Sequence, residues 1–336
     1  MEMNIFKDKT ILITGGTGFL GRALTKEILK QSPKAVRLFS RDEVKHYKAQ
    51  EFFNYNPKLR NFIGDVRDYP RLKKACRQVD IVIHAAALKR IDLIEYNVDE
   101  AIKTNILGTL NLVNACLANK IKKAVFVSTD KACSPVNTYG ACKFVSERIF
   151  TESNYSRGDI GTIFTTVRYG NVLESTGSVI PLFNSKIKKG EDIPLTDPRM
   201  TRFIISPKQS VELILNAIKY AQGGEVFVPK LKSFKIIDLI EILMKKNKAK
   251  NKIKMVGIRP GEKIDELLIN ESEIPRTIKF KNFYVILSSI RKQKKGRKPI
   301  YLSKGRRMGK MEEYSSRNYL ITKKEIKKIF KNLEII

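Results

Sequence analysis

The feature that most constrains the fold is an apolar strand that runs directly into a glycine-rich turn near the start of the chain. The strand covers Thr10–Thr14, and three glycines in a G-x-x-G-x-x-G spacing separate it from an amphipathic helix predicted over residues 22–29. Glycines in such a turn let the backbone approach a pyrophosphate, which the free N–H groups of the following helix can bind. The pattern therefore predicts the dinucleotide-binding start of a βαβ unit, built by Gly15, Thr17, Gly18, Phe19, Leu20 and Gly21.

Strands and helices alternate through the first half of the chain. Alternation of this kind implies right-handed crossovers, a parallel sheet, and ligands at the carboxyl ends of the strands. The predicted fold class is therefore α/β, with a doubly wound parallel sheet of the Rossmann type. Its strands are expected at 10–14, 35–40, 79–87, 124–127 and 162–168, with one more ending near 62–66, and its helices at 22–29, 43–53, 68–76, 99–118 and 139–150.

The pattern loosens after residue 170. Helices are predicted near 178–188, 208–220, 236–243 and 322–330, with a strand at 225–228, a further helix starting at 259–263, and a basic loop at 291–310. We therefore predict three segments along the chain. They are a cofactor-binding domain at 1–170, a smaller, mixed α/β domain mainly for the substrate at 171–290, and a basic C-terminal extension at 291–336.

The end of the second predicted strand bears on which dinucleotide is bound. An acidic residue there usually holds the ribose 2′-hydroxyl of NAD, whereas an arginine suits the 2′-phosphate of NADP. Ser40 and Arg41 favour NADP, while Asp42 keeps NAD open. The plain alternative is that Arg41 is a solvated loop arginine.

Residues at the ends of the third and fourth predicted strands complete the expected cofactor site. Small side chains leave room for a cofactor, and an acidic residue at a strand end can reach the adenine edge, although a simple turn would explain it equally well. His84 lies within an apolar run and is expected to be a core residue. The cofactor residues predicted here are Asp65, Val66, Ala85, Ala86 and Ala87.

Two polar motifs follow the apolar run at 124–127. Ser128 opens the first motif, and the second places Tyr139 and Lys143 four residues apart, on one face of the next predicted helix. An ammonium beside a phenol favours the phenolate and lowers the pKa of the tyrosine. Such a tyrosine can take a hydroxyl proton while a hydride leaves the same carbon. The sequence therefore predicts a catalytic site at Thr129, Asp130, Lys131, Tyr139 and Lys143.

Composition narrows the remaining possibilities. The four cysteines form no C-x-x-C pair and there are only two histidines, so no metal is expected. The sequence has no signal-peptide h-region and no apolar run of membrane-spanning length, so we expect a cytoplasmic protein. The formal net charge of +31 suits either a nucleic-acid or acidic-membrane partner, or lysine-rich solvated faces. Because basic residues occur in nearly every segment without a recognition motif, we expect no specific nucleic-acid partner.

These motifs together resemble the extended short-chain dehydrogenase/reductase superfamily, and within it the inverting UDP-N-acetylglucosamine 4,6-dehydratases of the flagellin-glycosylation and capsule type. The resemblance covers residues 9–288 and an element at 313–316. The chain departs from the family at Asp92 and Val98, where prolines are usual, and at Asp265, where histidine is common. The matching stretches are TGGTGFLG, FSRDE, GDVRD, AAALK, EYN…EAIKTNILGT, STDKA…PxNxYGxCK, VRYGNV, TDPRMTRF, GGEVFVPK and RPGEK.

The resemblance implies an NADP-dependent dehydration of UDP-N-acetylglucosamine with inversion at C5. Tyr139 would be the base during oxidation at C4, with Lys143 as its electrostatic support and Thr129 hydrogen-bonded near O4. Lys131 would remove the C5 proton that the C4 ketone acidifies, and Asp130 would protonate the departing C6 hydroxyl. The expected product is UDP-2-acetamido-2,6-dideoxy-β-L-arabino-hexos-4-ulose, used for bacterial surface or flagellar glycans.

The resemblance also implies substrate contacts and a homo-oligomer. Arginines suit a pyrophosphate bidentately, and a carboxylate suits ribose hydroxyls. A lysine just past the fourth strand can reach a phosphate or sugar, or simply face solvent. The substrate-binding residues expected from the family and from this position are Lys89, Asn171, Arg202, Arg259 and Glu262.

Position 131 separates this hypothesis from its alternatives. Relatives that retain the C5 configuration place a glutamate there, and 4-epimerases lack the acid–base pair, so Asp130 and Lys131 argue against a UDP-sugar 4-epimerase. A non-catalytic NADP-binding regulator would not need the Tyr139 and Lys143 pair. A basic nucleic-acid-binding protein is the remaining alternative from another class.

Overall fold

The computed structural model describes residues 4–173, 179–290, 299–309 and 312–333. The strands are β1 (Thr10–Thr14), β2 (Ala35–Ser40), β3 (Leu59–Ile63), β4 (Ile81–His84), β5 (Lys123–Thr129), β6 (Ile163–Tyr169), β7 (Ile193–Leu195), β8 (Thr201–Phe203), β9 (Val226–Pro229), β10 (Ser233–Lys235), β11 (Ile253–Met255), β12 (Leu267–Ile269), β13 (Thr277–Phe280), β14 (Phe283–Ile286), β15 (Arg306–Arg307) and β16 (Tyr314–Ser315). The helices are α1 (Phe19–Leu29), α2 (Glu43–Phe52), α3 (Tyr69–Ala75), α4 (Ile91–Ile94), α5 (Val98–Ala101), α6 (Gly108–Ala118), α7 (Thr138–Ser156), α8 (Val179–Lys189), α9 (Pro207–Tyr220), α10 (Ile236–Lys246), α11 (Ile300–Lys304) and α12 (Lys323–Asn332).

Ten strands form one sheet in the order β15-β13-β14-β9-β6-β5-β4-β1-β2-β3. From β3 to β9 every neighbouring pair is parallel, and β13, β14 and β15 add an antiparallel edge. The parallel part is doubly wound, because the chain proceeds outward from β1 first to one side and then to the other. The predicted fold class is confirmed. Since β9, β13, β14 and β15 belong to this sheet, the division of the chain at residue 170 stays a prediction about function.

The parallel strands are short apolar runs because both faces of the sheet are covered. Side chains on β1 alternate between the faces: Ile11 and Ile13 join the apolar cluster that includes Leu24 of α1 and Ile214 of α9, and Leu12 joins the cluster on the other face. That second cluster contains residues of α3, α6 and α7. The two layers hold the carboxyl ends of β1, β4, β5 and β6 in fixed register.

A smaller apolar core lies in the second half of the chain. It gathers side chains from α8, α10 and α12, with β7, β10 and the residues that flank β8. Phe330 of α12 contacts Phe234 of β10 edge to face, with ring centroids 6.0 Å apart. Three two-stranded sheets accompany this core, pairing β10 with β8, β11 with β7, and β12 with β16.

Three predicted elements differ from the structure. Residues 259–263 start no helix, because Gly261 adopts a φ of +79° in a turn at 260–261. The predicted loop at 291–310 is wrong over α11 and β15: Tyr301 of α11 is buried and donates to Glu225 Oε1 at 2.5 Å, so this tyrosine anchors α11. Residues 291–298 lie outside the described residues.

The third difference concerns the long helix predicted at 99–118. The structure has a continuous helical run from α5 to α6 whose middle, Ile102–Leu107, is π-helical. Among the helices of the described ranges, none combines the length and apolar character needed to cross a bilayer.

Candidate active site

The glycine-rich turn packs directly against the segment that follows β4. Gly15 has a φ of +68°, and a Cβ there would lie 2.9 Å from the backbone nitrogen of Ala86. A Cβ on Gly21 would collide with the carbonyl oxygen of Gly16, so α1 can approach the turn only with glycine at this position. No side chain caps the N-terminus of α1, which leaves its first N–H groups available to an anion. The predicted cofactor residues of the turn and Ala85 to Ala87 are therefore brought together.

Side chains at the end of β2 shape the expected ribose edge. Asp42 caps α2, accepting from the Lys45 backbone N–H at 3.0 Å and pairing with its ammonium, so its carboxylate is already engaged. Ser40 Oγ lies 2.8 Å from Thr17 Oγ1 in the glycine-rich turn. Arg41 is about half exposed, at 53% of its side chain, and its Nη1 lies 3.6 Å from Asp65 Oδ2. A half-exposed guanidinium at this edge, rather than a free carboxylate, fits a 2′-phosphate, although it also pairs with Asp65.

His84 is a structural residue, as predicted. Its Nδ1 lies 2.6 Å from Thr14 Oγ1 and its Nε2 lies 3.1 Å from Thr109 Oγ1, so the ring joins β1, β4 and α6. Burial, with a smaller contribution from the Lys143 charge, lowers the pKa of His84 to about 3. The ring is therefore neutral at physiological pH and is excluded from the reacting groups.

The polar residues after β5 form a hydrogen-bonded cluster around the Asp130 carboxylate. Thr129 Oγ1 donates to Asp130 Oδ1 at 2.8 Å, and Lys131 Nζ lies 3.1 and 3.2 Å from the two Asp130 oxygens. Lys131 Nζ also donates to Asn171 Oδ1 at 3.3 Å, which places this predicted substrate residue beside the cluster. A carboxyl group and an amine held in contact at the end of a parallel strand can work as a paired acid and base.

Tyr139 and Lys143 project from α7 toward the end of β5. Lys143 is buried; its Nζ donates to the Val127 carbonyl at 2.7 Å and lies 4.2 Å from the centroid of the Phe126 ring. Burial lowers the pKa of Lys143 to about 7, against a smaller opposing effect of Glu147. The ammonium is thus anchored to the strand that carries the catalytic cluster.

The predicted lowering of the pKa of Tyr139 by Lys143 is wrong for this structure. Loss of solvent around the phenol, followed by the negative charge of Asp130, raises the pKa of Tyr139, and a hydrogen bond with Thr129 opposes this only in part. The charge that acts on the Tyr139 phenol is therefore that of Asp130, while the Lys143 ammonium is hydrogen-bonded to the Val127 carbonyl.

The turn at 260–261 docks beside the catalytic cluster. Asn137, which caps α7, donates through Nδ2 to the Gly261 carbonyl at 2.8 Å, and Lys263 Nζ donates to the Cys133 carbonyl at 2.7 Å. Glu262 in this turn has a buried Oε2 without a hydrogen-bond partner among the described residues. The turn thus carries Glu262 to the edge of the site, with Arg259 exposed to solvent next to it.

The two other predicted substrate residues differ in their surroundings. Lys89 is exposed but lies close enough to Lys131 that partial desolvation and this neighbouring charge lower its pKa. Arg202 is turned toward the protein, since its Nη1 donates to the carbonyls of Thr201 and Ile264 at 2.7 and 2.9 Å. Lys89 is thus placed at the site, whereas the guanidinium of Arg202 is already engaged.

One buried carboxyl group beside the cluster, that of Glu266, is not predicted from the sequence. Glu266 immediately precedes β12, which packs on residues 130–132, and Arg202 Nε lies 3.7 Å from its Oε1. Burial first, and then the charge of Asp130, raise the pKa of Glu266 to about 7. Its only signal in the sequence is an acidic residue three positions after the RPGEK stretch. Within the described ranges, no group of three or more His, Cys, Asp or Glu side chains has the arrangement to hold a metal ion.

The chain matches a known protein family and several known relatives. A family model described as polysaccharide biosynthesis protein matches residues 11–288. The UDP-N-acetylglucosamine 4,6-dehydratase (inverting) of Campylobacter jejuni is 46% identical over 290 residues, 85% of this chain and 85% of that protein.

Two further relatives cover almost the whole chain. The UDP-glucose 4-epimerase of Rickettsia bellii is 39% identical over 337 residues, 99% of this chain and 98% of that protein. The solved structure of Pen from Bacillus thuringiensis superposes with a TM-score of 0.91 and 38% identity, covering 99% of this chain and 100% of that one. The resemblance drawn from the sequence is confirmed: the chain is an enzyme that belongs to the polysaccharide biosynthesis protein family, among the extended short-chain dehydrogenases/reductases.

Proposed function

We propose that the protein is an NADP-dependent, inverting 4,6-dehydratase that converts UDP-N-acetylglucosamine into UDP-2-acetamido-2,6-dideoxy-β-L-arabino-hexos-4-ulose. The observation that carries this proposal is the contact between Lys131 and Asp130 at the end of β5, beside Tyr139. A dehydration across C5 and C6 needs a base for the C5 proton and an acid for the C6 hydroxyl. The similarity to the inverting UDP-N-acetylglucosamine 4,6-dehydratase of Campylobacter jejuni supports it.

In this proposal Tyr139 is the base that takes the C4 hydroxyl proton. The charge state of Asp130 controls how readily Tyr139 does so. Ionised Asp130 helps to keep the proton on the phenol, so protonation of Asp130 removes one of the causes that raise the pKa of Tyr139. Asp130 must also carry a proton to act as an acid later. The same protonation state thus prepares both the oxidation and the elimination.

Lys131 and Asp130 perform the elimination. Lys131 takes the C5 proton, and Asp130 donates a proton to the C6 hydroxyl, which leaves as water. Because Lys131 Nζ contacts both Asp130 oxygens, the proton gained by Lys131 can pass to Asp130 and restore the pair. Thr129, hydrogen-bonded to Asp130, fixes the carboxyl group in place for this exchange.

The cofactor is proposed to be NADP. The glycine-rich turn, the open N-terminus of α1 and the segment Ala85 to Ala87 would hold the pyrophosphate and nicotinamide halves, with Val66 at the adenine edge. Arg41 and Ser40 would hold the 2′-phosphate, since Asp42 is committed to its cap. When bound, the nicotinamide supplies hydride acceptance from C4 and hydride return to C6. A proton from solvent enters C5 on the face opposite to the one from which Lys131 removed it, which inverts C5, and Tyr139 releases to solvent the proton that it took from the C4 hydroxyl. For the substrate we propose Asn171, Lys89, Glu262, Arg259 and Arg202.

A UDP-sugar 4-epimerase is the second candidate, because the relative from Rickettsia bellii carries a 4-epimerase name over nearly the whole chain. Epimerisation at C4 uses the tyrosine but leaves Asp130 and Lys131 without a reaction to catalyse. Incubation with UDP-N-acetylglucosamine followed by proton NMR separates the two. We expect a new C6 methyl signal; a galacto product without a methyl group would overturn the dehydratase in favour of the epimerase.

We also propose a cytoplasmic homo-oligomer that serves bacterial surface or flagellar glycan synthesis. The cysteines of the described ranges are buried free thiols, which suits a reducing compartment. A helical face exposes apolar side chains next to one another, and a second copy of the chain would cover it isologously. We name it the α6–α7 face: Ile102, Leu107, Leu110, Phe144 and Val145.

A further inference from the structure

Glu266 is a buried carboxyl group with one oxygen hydrogen-bonded and the other lacking a hydrogen bond to any described residue, 3.7 Å from Arg202 Nε. Its side chain is almost fully enclosed, and Oε2 accepts from the Phe203 backbone N–H at 2.7 Å. Oε1 is buried and has no hydrogen-bond partner among the residues that the structure describes. An unsatisfied buried carboxylate oxygen is costly, which is why such a group usually has a role beyond packing.

The backbone around Glu266 is held so that this carboxyl group cannot move away. Its N–H donates to Ser316 Oγ at 2.8 Å, and its carbonyl accepts from the Ser316 N–H at 2.8 Å. On the opposite side, a Cβ at residue 170 would lie 3.1 Å from Glu266 Oε2, so the glycine at that position makes room for the carboxyl group. The placement of Glu266 is therefore built by three separate segments.

The charged groups that face Glu266 belong to the proposed acid–base machinery or lie next to it. They are Asp130 and Lys131 on the segment after β5, and Arg202 on β8. Asp130 repels a negative charge on Glu266, whereas Lys131 and Arg202 attract one. Protonation of Glu266 therefore changes the electrostatic potential at Asp130 and Lys131, and with it the proton transfer between them.

We propose that Glu266 is a positioning residue of the active site, which sets the proton occupancy of the Asp130 and Lys131 pair through its own charge. This inference rests on the proposed dehydration. Burial raises the pKa of Glu266 to about 7, so the carboxyl group changes charge within the physiological range. When ionised, Glu266 stabilises the protonated forms of both Asp130 and Lys131. When neutral, it no longer does so, and both groups lose their protons more readily.

The test compares the pH dependence of kcat for the unmodified protein and for Glu266→Gln, with UDP-N-acetylglucosamine as substrate. Glutamine keeps the shape of the side chain but never ionises. Without the negative charge of Glu266, Asp130 loses its proton at lower pH, and Lys131 becomes neutral at lower pH. We expect both limbs of the profile to move to lower pH by about one unit. Glu271→Gln, which removes an exposed carboxylate from the neighbouring segment, should leave the profile in place.

A purely structural role predicts a different result. Glu266→Gln would then lose activity equally at every pH, with both limbs unmoved, and this outcome overturns the proposal. Glu266→Asp keeps a carboxyl group, so its profile should lie closer to that of the unmodified protein. If the unmodified protein forms no C6 methyl product at any pH, the proposed function fails, which is distinct from failure of this inference.

A readout without turnover completes the test. In protein labelled with ¹³C at the glutamate δ-carbon, we expect one resonance that titrates near neutral pH and is missing in Glu266→Gln. If Glu266→Gln does not fold, Glu266→Asp serves instead, since it must also remove that glutamate signal. The absence of any glutamate carbon titrating near neutral pH in the unmodified protein would contradict the proposal.

Discussion

At the scale of single residues, the Lys143 ammonium is the most costly group in the site to bury. Burial lowers the pKa of Lys143 from 10.5 to about 7. Between these values the unfolded chain binds more protons at this residue than the folded protein does, so its contribution to stability rises with pH across that window. The site therefore retains a charge that opposes folding at neutral pH.

Replacement of this lysine should make the protein more stable while abolishing activity. Lys143→Met is expected to raise the free energy of unfolding at pH 7 by about 1–2 kcal/mol, with the gain shrinking as the pH approaches 10. Urea unfolding at several pH values measures it. The exposed Lys208→Met is the control. A gain that does not change with pH would contradict the account.

The choice of cofactor also depends on one residue. Arg41→Ala should weaken NADPH binding about tenfold or more, with little effect on NADH, because a charge-assisted contact to the 2′-phosphate is lost. Fluorescence titration of both reduced dinucleotides measures the two affinities. Arg60→Ala, an exposed arginine on β3, should change neither. Equal losses for both dinucleotides would show that Arg41 does not select NADP.

Most of the candidate site was visible in the sequence because its residues lie within short motifs at strand ends. Thr129, Asp130 and Lys131 directly follow β5, and their contacts are local. Glu266 was missed because its place beside Asp130 depends on how a segment more than a hundred residues away packs. The direction of the pKa shift of Tyr139 was not predicted, for a related reason. Helical spacing shows that Lys143 lies near Tyr139, but it does not show that the Lys143 ammonium binds the Val127 carbonyl.

At the scale of elements, a buried ion cluster joins β6, α7 and the short 3₁₀ helix at 271–276. Arg168 donates from Nη2 to Glu147 Oε2 at 2.6 Å and from Nη1 to Glu273 Oε2 at 2.7 Å, and all three side chains are buried. The cluster therefore ties the helix that carries Tyr139 to the second half of the chain.

Removal of the central cation leaves the buried Glu147 carboxylate without its ion-pair partner, while Glu273 keeps Arg276 at 3.6 Å. Arg168→Met is expected to cost about 3–5 kcal/mol in the free energy of unfolding. Arg90→Met, which breaks an ion pair whose arginine side chain is 66% exposed, is the matched control and should cost under about 1 kcal/mol. Urea unfolding of both variants measures the difference. Equal small losses would mean that the cluster does not hold these elements together.

The predicted helices and strands were most accurate where the apolar periodicity is strong. They were least accurate where a few tertiary contacts determine whether a segment is ordered. The strands of the parallel sheet follow from apolar runs buried on both faces. The order in α11 depends on Tyr301 finding Glu225, which composition does not reveal in a basic stretch. The turn at Gly261 shows the converse, since a proline suits the start of a helix but a glycine with a φ of +79° cannot continue one.

At the scale of the whole molecule, the α6–α7 face bears on the oligomeric state. Its members include Leu110, 42% exposed, and Val145, 39% exposed, on two helices that pack side by side. A charge placed there should disrupt a symmetric contact twice, once on each copy. This face is consequently the place to test for a second copy of the chain.

Leu110→Glu is expected to convert the homo-oligomer to a smaller species, ending in the monomer. Sedimentation velocity at several protein concentrations measures the change. Val44→Glu, on α2 and 61% exposed, is the matched control and should leave the oligomer intact. An unmodified protein that sediments as a monomer at all concentrations, or an oligomer that Leu110→Glu does not affect, would contradict the assignment of this face.

Proton NMR of the reaction with UDP-N-acetylglucosamine in D₂O, run beside the Lys131→Ala variant, tests the proposed elimination and the role of Lys131 together. We expect a product with a C6 methyl group, deuterium at C5 and L-arabino geometry. We expect Lys131→Ala to form at least about 100-fold less product, because the base for the C5 proton is gone. A methyl product with unchanged C5 geometry, or one that Lys131→Ala forms at the normal rate, would contradict the role given to Lys131.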